Sequence, residues 1–142
     1  MLDNQGRNIR YLRLSVTDRC NFRCRYCMPA EGVCKREHSE MLSFEELTEI
    51  VRTAVSLGVS KVRLTGGEPL VRCGIVDLCR SLRAINGVRE LTMTTNGALL
   101  PQYAAELKQA GVDRLNISLD TLNKDKFCLL YTSPSPRDYA AS

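Results

Sequence analysis

At 142 residues, 44% hydrophobic and 25% charged, the chain has the size and composition of one ordinary folded domain. That excludes a multi-domain assembly, a fibre and a disordered polymer. The net charge is +4, and residues 1–27 carry all of it: Arg7, Arg10, Arg13, Arg19, Arg23 and Arg25 against Asp3 and Asp18. A local arginine excess suits a carboxylate or phosphate ligand, which guanidinium binds bidentately. No nucleic-acid partner is expected, because there is no Lys/Arg run and no interleaved aromatic platform. No apolar run approaches the roughly 18 residues that cross a bilayer. The start lacks the apolar core of a secretory signal, so a cytoplasmic chain without a membrane partner is expected. Seven cysteines is an odd number and does not suit a complete disulfide framework.

In chain order, Tyr11–Val16 alternates apolar and polar residues and reads as a strand. A cysteine-rich loop follows, from Thr17 to about Gly32. Ser43-Phe-Glu-Glu46 is a capping box, in which the serine oxygen takes an orphan N–H and the glutamate reaches back. It opens a helix with Leu47, Ile50, Val51, Ala54 and Val55 on one face, ending at Gly58. Lys61–Thr65 is the next strand. A helix over about Ile75–Ile85, a strand at Glu90–Thr94, a helix over about Pro101–Ala110 and a strand at Arg114–Ser118 complete the pattern. Gly58-Val59, Gly87-Val88 and Gly111-Val112 each mark a helix giving way to a strand. Strands alternating with helices predict an α/β fold with a parallel sheet, either an open doubly wound sheet or part of a barrel.

In such folds ligands bind beyond the C-terminal ends of the strands. The residues there are Thr17-Asp-Arg-Cys20, Gly66-Gly-Glu-Pro69, Thr95-Asn-Gly97 and Leu119-Asp120, all polar or glycine-rich. Cys20, Cys24 and Cys27 place three thiols within eight residues, so one loop can wrap a metal centre. Structural zinc wants four ligands, usually as two separated pairs. Three thiolates with no close fourth suit an iron–sulfur cluster with one open iron. His38 and Cys34 are the further donors that could supply a fourth ligand; His38 lies eleven residues past Cys27 in a polar stretch, and Cys34 lacks ligand spacing. Cys34, Cys73 and Cys79 read as packing or incidental residues. Gly66-Gly67 lacks side chains at two successive positions, so its backbone can come close to a ligand. Arg13 and Arg63 lie within strands. Facing a barrel interior they would need an anion to pair with, and the alternative is that they point to solvent.

Cys20-Asn-Phe-Arg-Cys24-Arg-Tyr-Cys27 resembles the CxxxCxxC signature of the radical S-adenosylmethionine (SAM) enzymes. Leu12–Cys20, Cys27–Gly32, Val62–Leu70, Thr94–Gly97 and Asn116–Asp120 further resemble the GTP 3',8-cyclase family of molybdenum-cofactor biosynthesis, over about Asp3 to Phe127. The resemblance implies a partial (β/α) barrel, truncated here to about four βα units, and a lyase. Cys20, Cys24 and Cys27 would ligate a 4Fe–4S cluster whose fourth iron binds SAM, and a 5'-deoxyadenosyl radical would follow reduction. No side chain acts as acid or base. Tyr26, Gly67 and Ser118 match SAM-binding positions. Arg13, Arg63 and Thr94 match GTP-binding positions. The family converts GTP to 3',8-cyclo-7,8-dihydro-GTP. It needs an electron donor and carries a second 4Fe–4S cluster in a C-terminal half that this sequence lacks. A homodimer of the complete protein remains open. The rivals are another radical SAM enzyme, such as a peptide-modifying one, and a non-enzymatic zinc-binding module.

The sequence departs from the family after Phe127. Residues 128–142 lack a helical face and resemble a translated sequencing-library adapter, a native disordered tail being the alternative. Residues 1–127 are therefore read as the N-terminal part of a radical SAM core. Four strands cannot close a barrel. The fragment alone is expected to be unstable, to leave an apolar interior uncovered, and to lack cyclase activity.

Overall fold

The computed structural model describes residues 4–27 and 41–131. His38 and Cys34, and the Met28–Gly32 stretch of the resemblance, lie outside the described residues. The elements in order are β1 (Tyr11–Ser15), α1 (Phe44–Ser56), β2 (Lys61–Thr65), a 3-10 turn (Pro69–Val71), α2 (Ile75–Arg83), β3 (Glu90–Thr95), α3 (Leu100–Gln109), β4 (Arg114–Ile117) and α4 (Lys124–Tyr131). The four strands form one parallel sheet in the order β1-β2-β3-β4.

Strand alternation sorts the sheet into two unlike faces. Leu12, Leu14, Val62, Leu64, Leu91 and Met93 face the helices. There they pack with Leu47 and Val51 of α1, Leu78 and Leu82 of α2, and Leu107 of α3. Each fully buried aliphatic side chain contributes about 1.5–3 kcal/mol. The other face carries Tyr11, Arg13 and Ser15 on β1, Lys61, Arg63 and Thr65 on β2, Glu90, Thr92 and Thr94 on β3, and Arg114 and Asn116 on β4.

Sequential strand order with the helices packed on one face is a segment of a (β/α) barrel. A doubly wound sheet carries helices on both faces. The partial barrel expected from the sequence is therefore the fold observed. Its interior differs from expectation. The open face is polar, because each strand places its charged and hydroxyl residues on the side away from the helices. The exposed large apolar groups nearest the open edge are instead Ile117, Leu119 and Leu122, at and beyond the end of β4.

Local chemistry explains most element ends. Ser43 Oγ accepts from Glu46 N at 3.1 Å, and Ser43 N donates to Glu46 Oε2 at 2.7 Å, which is the expected capping box. At the start of α2, Gly74 has φ +79°, and a Cβ there would lie 2.9 Å from the Phe44 ring. A glycine admits both the turn and the close approach of α1. α4 (Lys124–Tyr131) runs four residues past Phe127, into the stretch read from sequence as lacking a helical face. Cys128–Tyr131 contains no proline or glycine, so nothing in that stretch halts the helix. Among the described residues no helix is long and apolar enough to cross a membrane.

Candidate functional site

The loops beyond the strand ends are joined through their backbones. Leaving β1, Val16 N donates to Thr65 O at 2.9 Å. Gly67 N then donates to Thr17 O at 2.7 Å, and Glu68 N to Arg19 O at 2.8 Å. A Cβ on Gly66 would lie 2.3 Å from Thr17 O, and one on Gly67 would lie 2.2 Å from Arg19 O. The glycine pair therefore admits the backbone of the cysteine loop. This is a different close approach from the ligand contact for which the sequence was read.

Glu68 follows the glycines and is 1% exposed. Its carboxylate accepts from Leu70 N (3.0 Å), Thr95 Oγ1 (2.7 Å) and Asn96 N (2.7 Å). These three donors satisfy a charge that would otherwise be costly to bury. Asn96 then reaches the cysteine loop, donating from Nδ2 to Asn21 Oδ1 at 2.8 Å. Arg72 braces the same end from the helix side. It donates to Val16 O at 2.5 Å and to Leu42 O at 2.6 Å, and lies 4.4 Å from the Phe44 ring centre. Glu68, Asn96 and Arg72 were not singled out by sequence reasoning. The one available signal was that Glu68 and Asn96 sit in loops directly after strands.

Cys20 and Cys24 are half-buried and Cys27 is exposed, all as free thiols. Cys27 N donates to Cys24 O at 2.9 Å, which turns the loop tip. Arg23 fixes the stem by donating to Cys20 O (2.8 Å) and Phe22 O (3.0 Å). Burial pushes the Cys24 thiol pKa up, and the neighbouring Cys20 and Cys27 push it further, against a lowering hydrogen bond from Tyr26. Cys24 thus lies near both Cys20 and Cys27.

No group of three His, Cys, Asp or Glu side chains among the described residues converges on one ion position. Mononuclear zinc needs its sulfurs at about 2.3 Å from a single point. Three neighbouring thiols on one loop supply the donor set of a polynuclear cluster, whose irons each take one sulfur. Cys20 Sγ accepts from Phe22 N at 3.4 Å and from Asn96 Nδ2 at 3.9 Å, and as a thiol donates to Asn21 Oδ1 at 4.0 Å. The donor set fits an iron–sulfur cluster.

The remaining residues expected at the site fall into two groups. Tyr26 donates to Asp120 Oδ2 at 2.7 Å, which brings the loop tip to the chain just after β4. Ser118 is exposed beside it, and its N donates to Thr95 O at 2.9 Å. Gly67 lies between them in the β2 loop. Arg13, Arg63 and Thr94 lie on the open polar face. Arg13 pairs with Arg63 in register, and Arg63 with Thr92. Arg63 Nε donates to Thr92 Oγ1 at 3.3 Å, and its guanidinium lies 5.5 Å from the Tyr11 ring centre.

Glu90 forms ion pairs with both Lys61 (2.9 Å) and Arg114. Among the described residues, neither Arg13 nor Arg63 forms an ion pair with a carboxylate. Of the other cysteines, Cys73 is exposed. Cys79 is fully buried in the core, where burial pushes its thiol to about 12.

At the opposite end of the strands a cleft of about 440 Å³ is lined by Arg10, Arg89, Gly58 and Gly87 among others. It meets the C-terminal end of α1 at Val55 and the turn after α2 at Gly87. The chemistry-bearing end is the one that carries the thiols.

A model of the radical SAM superfamily matches residues 14–139. Curated relatives are the GTP 3',8-cyclases of Geobacter sulfurreducens (61% identical), Peptoclostridium acidaminophilum (60%) and Alkaliphilus oremlandii (56%). Each aligns over 127 residues, covering 89% of this chain and 39–40% of the relative. The chain thus spans about two fifths of the length of the curated relatives it matches. Among solved structures, HydG, a maturase of the [FeFe]-hydrogenase, superposes with a TM-score of 0.66 at 20% identity. That match covers 91% of this chain and 29% of HydG. BtrN in complex with AdoMet and 2-DOIA gives 0.63 at 19%, covering 94% and 55%. These two share the fold. With the barrel segment and the three-cysteine loop in place, the match over most of its length makes this chain a member of the radical SAM superfamily.

Proposed function

We propose that this chain is the N-terminal portion of a GTP 3',8-cyclase. Cys20, Cys24 and Cys27 hold a 4Fe–4S cluster, and Tyr26, Gly67 and Ser118 surround SAM. Arg13, Arg63 and Thr94 receive GTP on the open face. When bound, the cluster supplies the electron, drawn from an external donor, that cleaves SAM. The chain's own part is geometric. The β1 and β2 loops hold the cluster loop at the strand ends. Tyr26 closes against Asp120. Arg63, oriented by Thr92 and Tyr11, offers a fixed cation to a triphosphate. The observation that carries the reading is the pairing of three neighbouring thiols at the strand ends with two arginines on the adjoining face that have no carboxylate ion pair among the described residues. The names of the curated relatives support the same reaction.

The test is iron and sulfide analysis of the anaerobically reconstituted full-length protein, then conversion of SAM to 5'-deoxyadenosine with GTP present. Iron retained in full by Cys24→Ala, or bound zinc with no visible chromophore, overturns the reading. We propose also that residues 1–127 are native and 128–142 are translated adapter sequence. The 127-residue length of the curated alignments is in keeping with this, whereas the superfamily match, which runs to residue 139, is not. Sequencing the source DNA across codon 127 tests it, and uninterrupted coding sequence of the same organism beyond that point overturns it.

A further inference from the structure

We infer that Asn96 is a positioning residue that donates its side-chain amide to the Cys20 sulfur and thereby sets the reduction potential of the cluster held there. The inference rests on the cluster reading above and gives a role to Asn96, which belongs to the Thr94–Gly97 stretch but has none in that reading. Three contacts fix the Asn96 side chain. Its backbone N donates to the buried Glu68 Oε2 at 2.7 Å. Its Oδ1 accepts from Ala98 N at 3.0 Å, which settles which end of the amide is nitrogen. Its Nδ2 therefore faces the cysteine loop, one hydrogen going to Asn21 Oδ1 at 2.8 Å and the other toward Cys20 Sγ at 3.9 Å.

The backbone N of Phe22 points at the same sulfur from 3.4 Å. The Phe22 amide belongs to the loop and moves with it. Asn96 is the residue just after β3, 76 residues away, so its donor is supplied from the end of a neighbouring strand.

A cluster-ligating sulfur becomes more negative when the cluster gains an electron. An N–H aimed at it stabilises the reduced state more than the oxidised one and raises the potential. Removing the donor lowers it. Replacing the donor with a carboxylate oxygen at the same place lowers it further, by adding charge.

The experiment compares full-length protein with Asn96→Ala and Asn96→Asp, each reconstituted anaerobically. Iron and sulfide per chain are measured first. The midpoint potential is then read by reductive titration followed by electron paramagnetic resonance, with SAM omitted. The expected order is parent highest, Asn96→Ala lower and Asn96→Asp lowest, at equal iron content. Asn96→Asp keeps an acceptor for Ala98 N, so it decides the matter if the alanine variant folds poorly. An unchanged potential in Asn96→Asp overturns the inference. Loss of iron from both variants overturns it equally, because a tuning contact is dispensable for assembly. A parent protein that binds no iron and sulfide overturns the cluster reading itself, which is a separable result.

Discussion

Glu68 accepts the Thr95 hydroxyl at 2.7 Å from inside the fold, so that a buried carboxylate joins the loop after β2 to the end of β3. Both oxygens are in use, one by Leu70 N and the Thr95 hydroxyl and the other by Asn96 N. Glu68→Gln must turn an amide nitrogen toward one of these donors. Leaving a buried donor unmatched costs about 1–3 kcal/mol. Urea denaturation of parent and variant should show that loss. Equal midpoints would mean that the carboxylate is not needed as an acceptor.

Gly67→Ala should displace the cysteine loop, since its Cβ would meet backbone at Arg19 O, which no rotamer change can move. Overpacking of this kind costs about 1–3 kcal/mol. Iron per chain should fall with it. Gly6→Ala, whose Cβ would meet nothing within 4 Å, should retain full iron and serves as the comparison.

Arg63→Ala should weaken GTP binding to the full-length protein about tenfold or more, as expected for a lost charge-assisted contact of about 1.5–3 kcal/mol. SAM affinity should be unchanged, because Arg63 lies on the sheet face and not in the strand-end loops. Thr92→Val, which removes the acceptor that orients Arg63 together with a donation to Val62 O at 3.4 Å, should give a smaller loss. Calorimetric titration with each ligand separates these outcomes.

Hydrogen bonds from Lys61 and then Arg114 hold the Glu90 carboxyl below its ordinary value of 4.5. A carboxyl lowered on folding stabilises the protein above its unfolded value, and that contribution disappears as pH falls through the folded one. Stability should therefore decline as pH drops below about 4.5. Glu90→Gln should flatten that part of the profile and leave the rest unchanged. Thermal melts across pH 3 to 7 would reveal it.

Cys79 presents the opposite sign. Its thiol, ordinarily near 9.0, is pushed to about 12 by burial. Its contribution to stability is complete below pH 9 and is lost as pH rises toward the folded value. Below that range the thiol should resist alkylation until the chain unfolds, while exposed Cys73 should react readily. Mass spectrometry after a short iodoacetamide pulse would distinguish them, and prompt labelling of Cys79 would contradict the packing.

Much of the framework was legible because it is written in short-range pattern. The Ser43–Glu46 box announced α1, and the three Gly-Val steps marked the returns to the sheet. The alternation Arg13-Leu14-Ser15-Val16 already separates two faces, although only the register across four strands shows that the open one is polar throughout. The three cysteines were legible from spacing. The strap from Glu68 through Asn96 to Asn21 was not, because its members lie up to 75 residues apart and meet only when the strands are in register. The glycine pair was legible as a close approach, but its partner was not, since a missing side chain does not say what occupies the space. The extension of α4 to Tyr131 escaped a reading based on amphipathic period, because a helix continues wherever no residue stops it.

The bonds from Gly67 to Thr17 and from Glu68 to Arg19 continue the β1–β2 pairing past the ends of both strands. The stem of the cysteine loop is in this sense more sheet, and should exchange its amide hydrogens on the slow schedule of the strands beside it. The tip, where Cys27 is exposed, has no such neighbour in the ladder. Cys20 is thus seated beside the extended ladder, whereas the tip that carries Cys24 and Cys27 is tethered by a side chain, through the Tyr26 hydroxyl and Asp120.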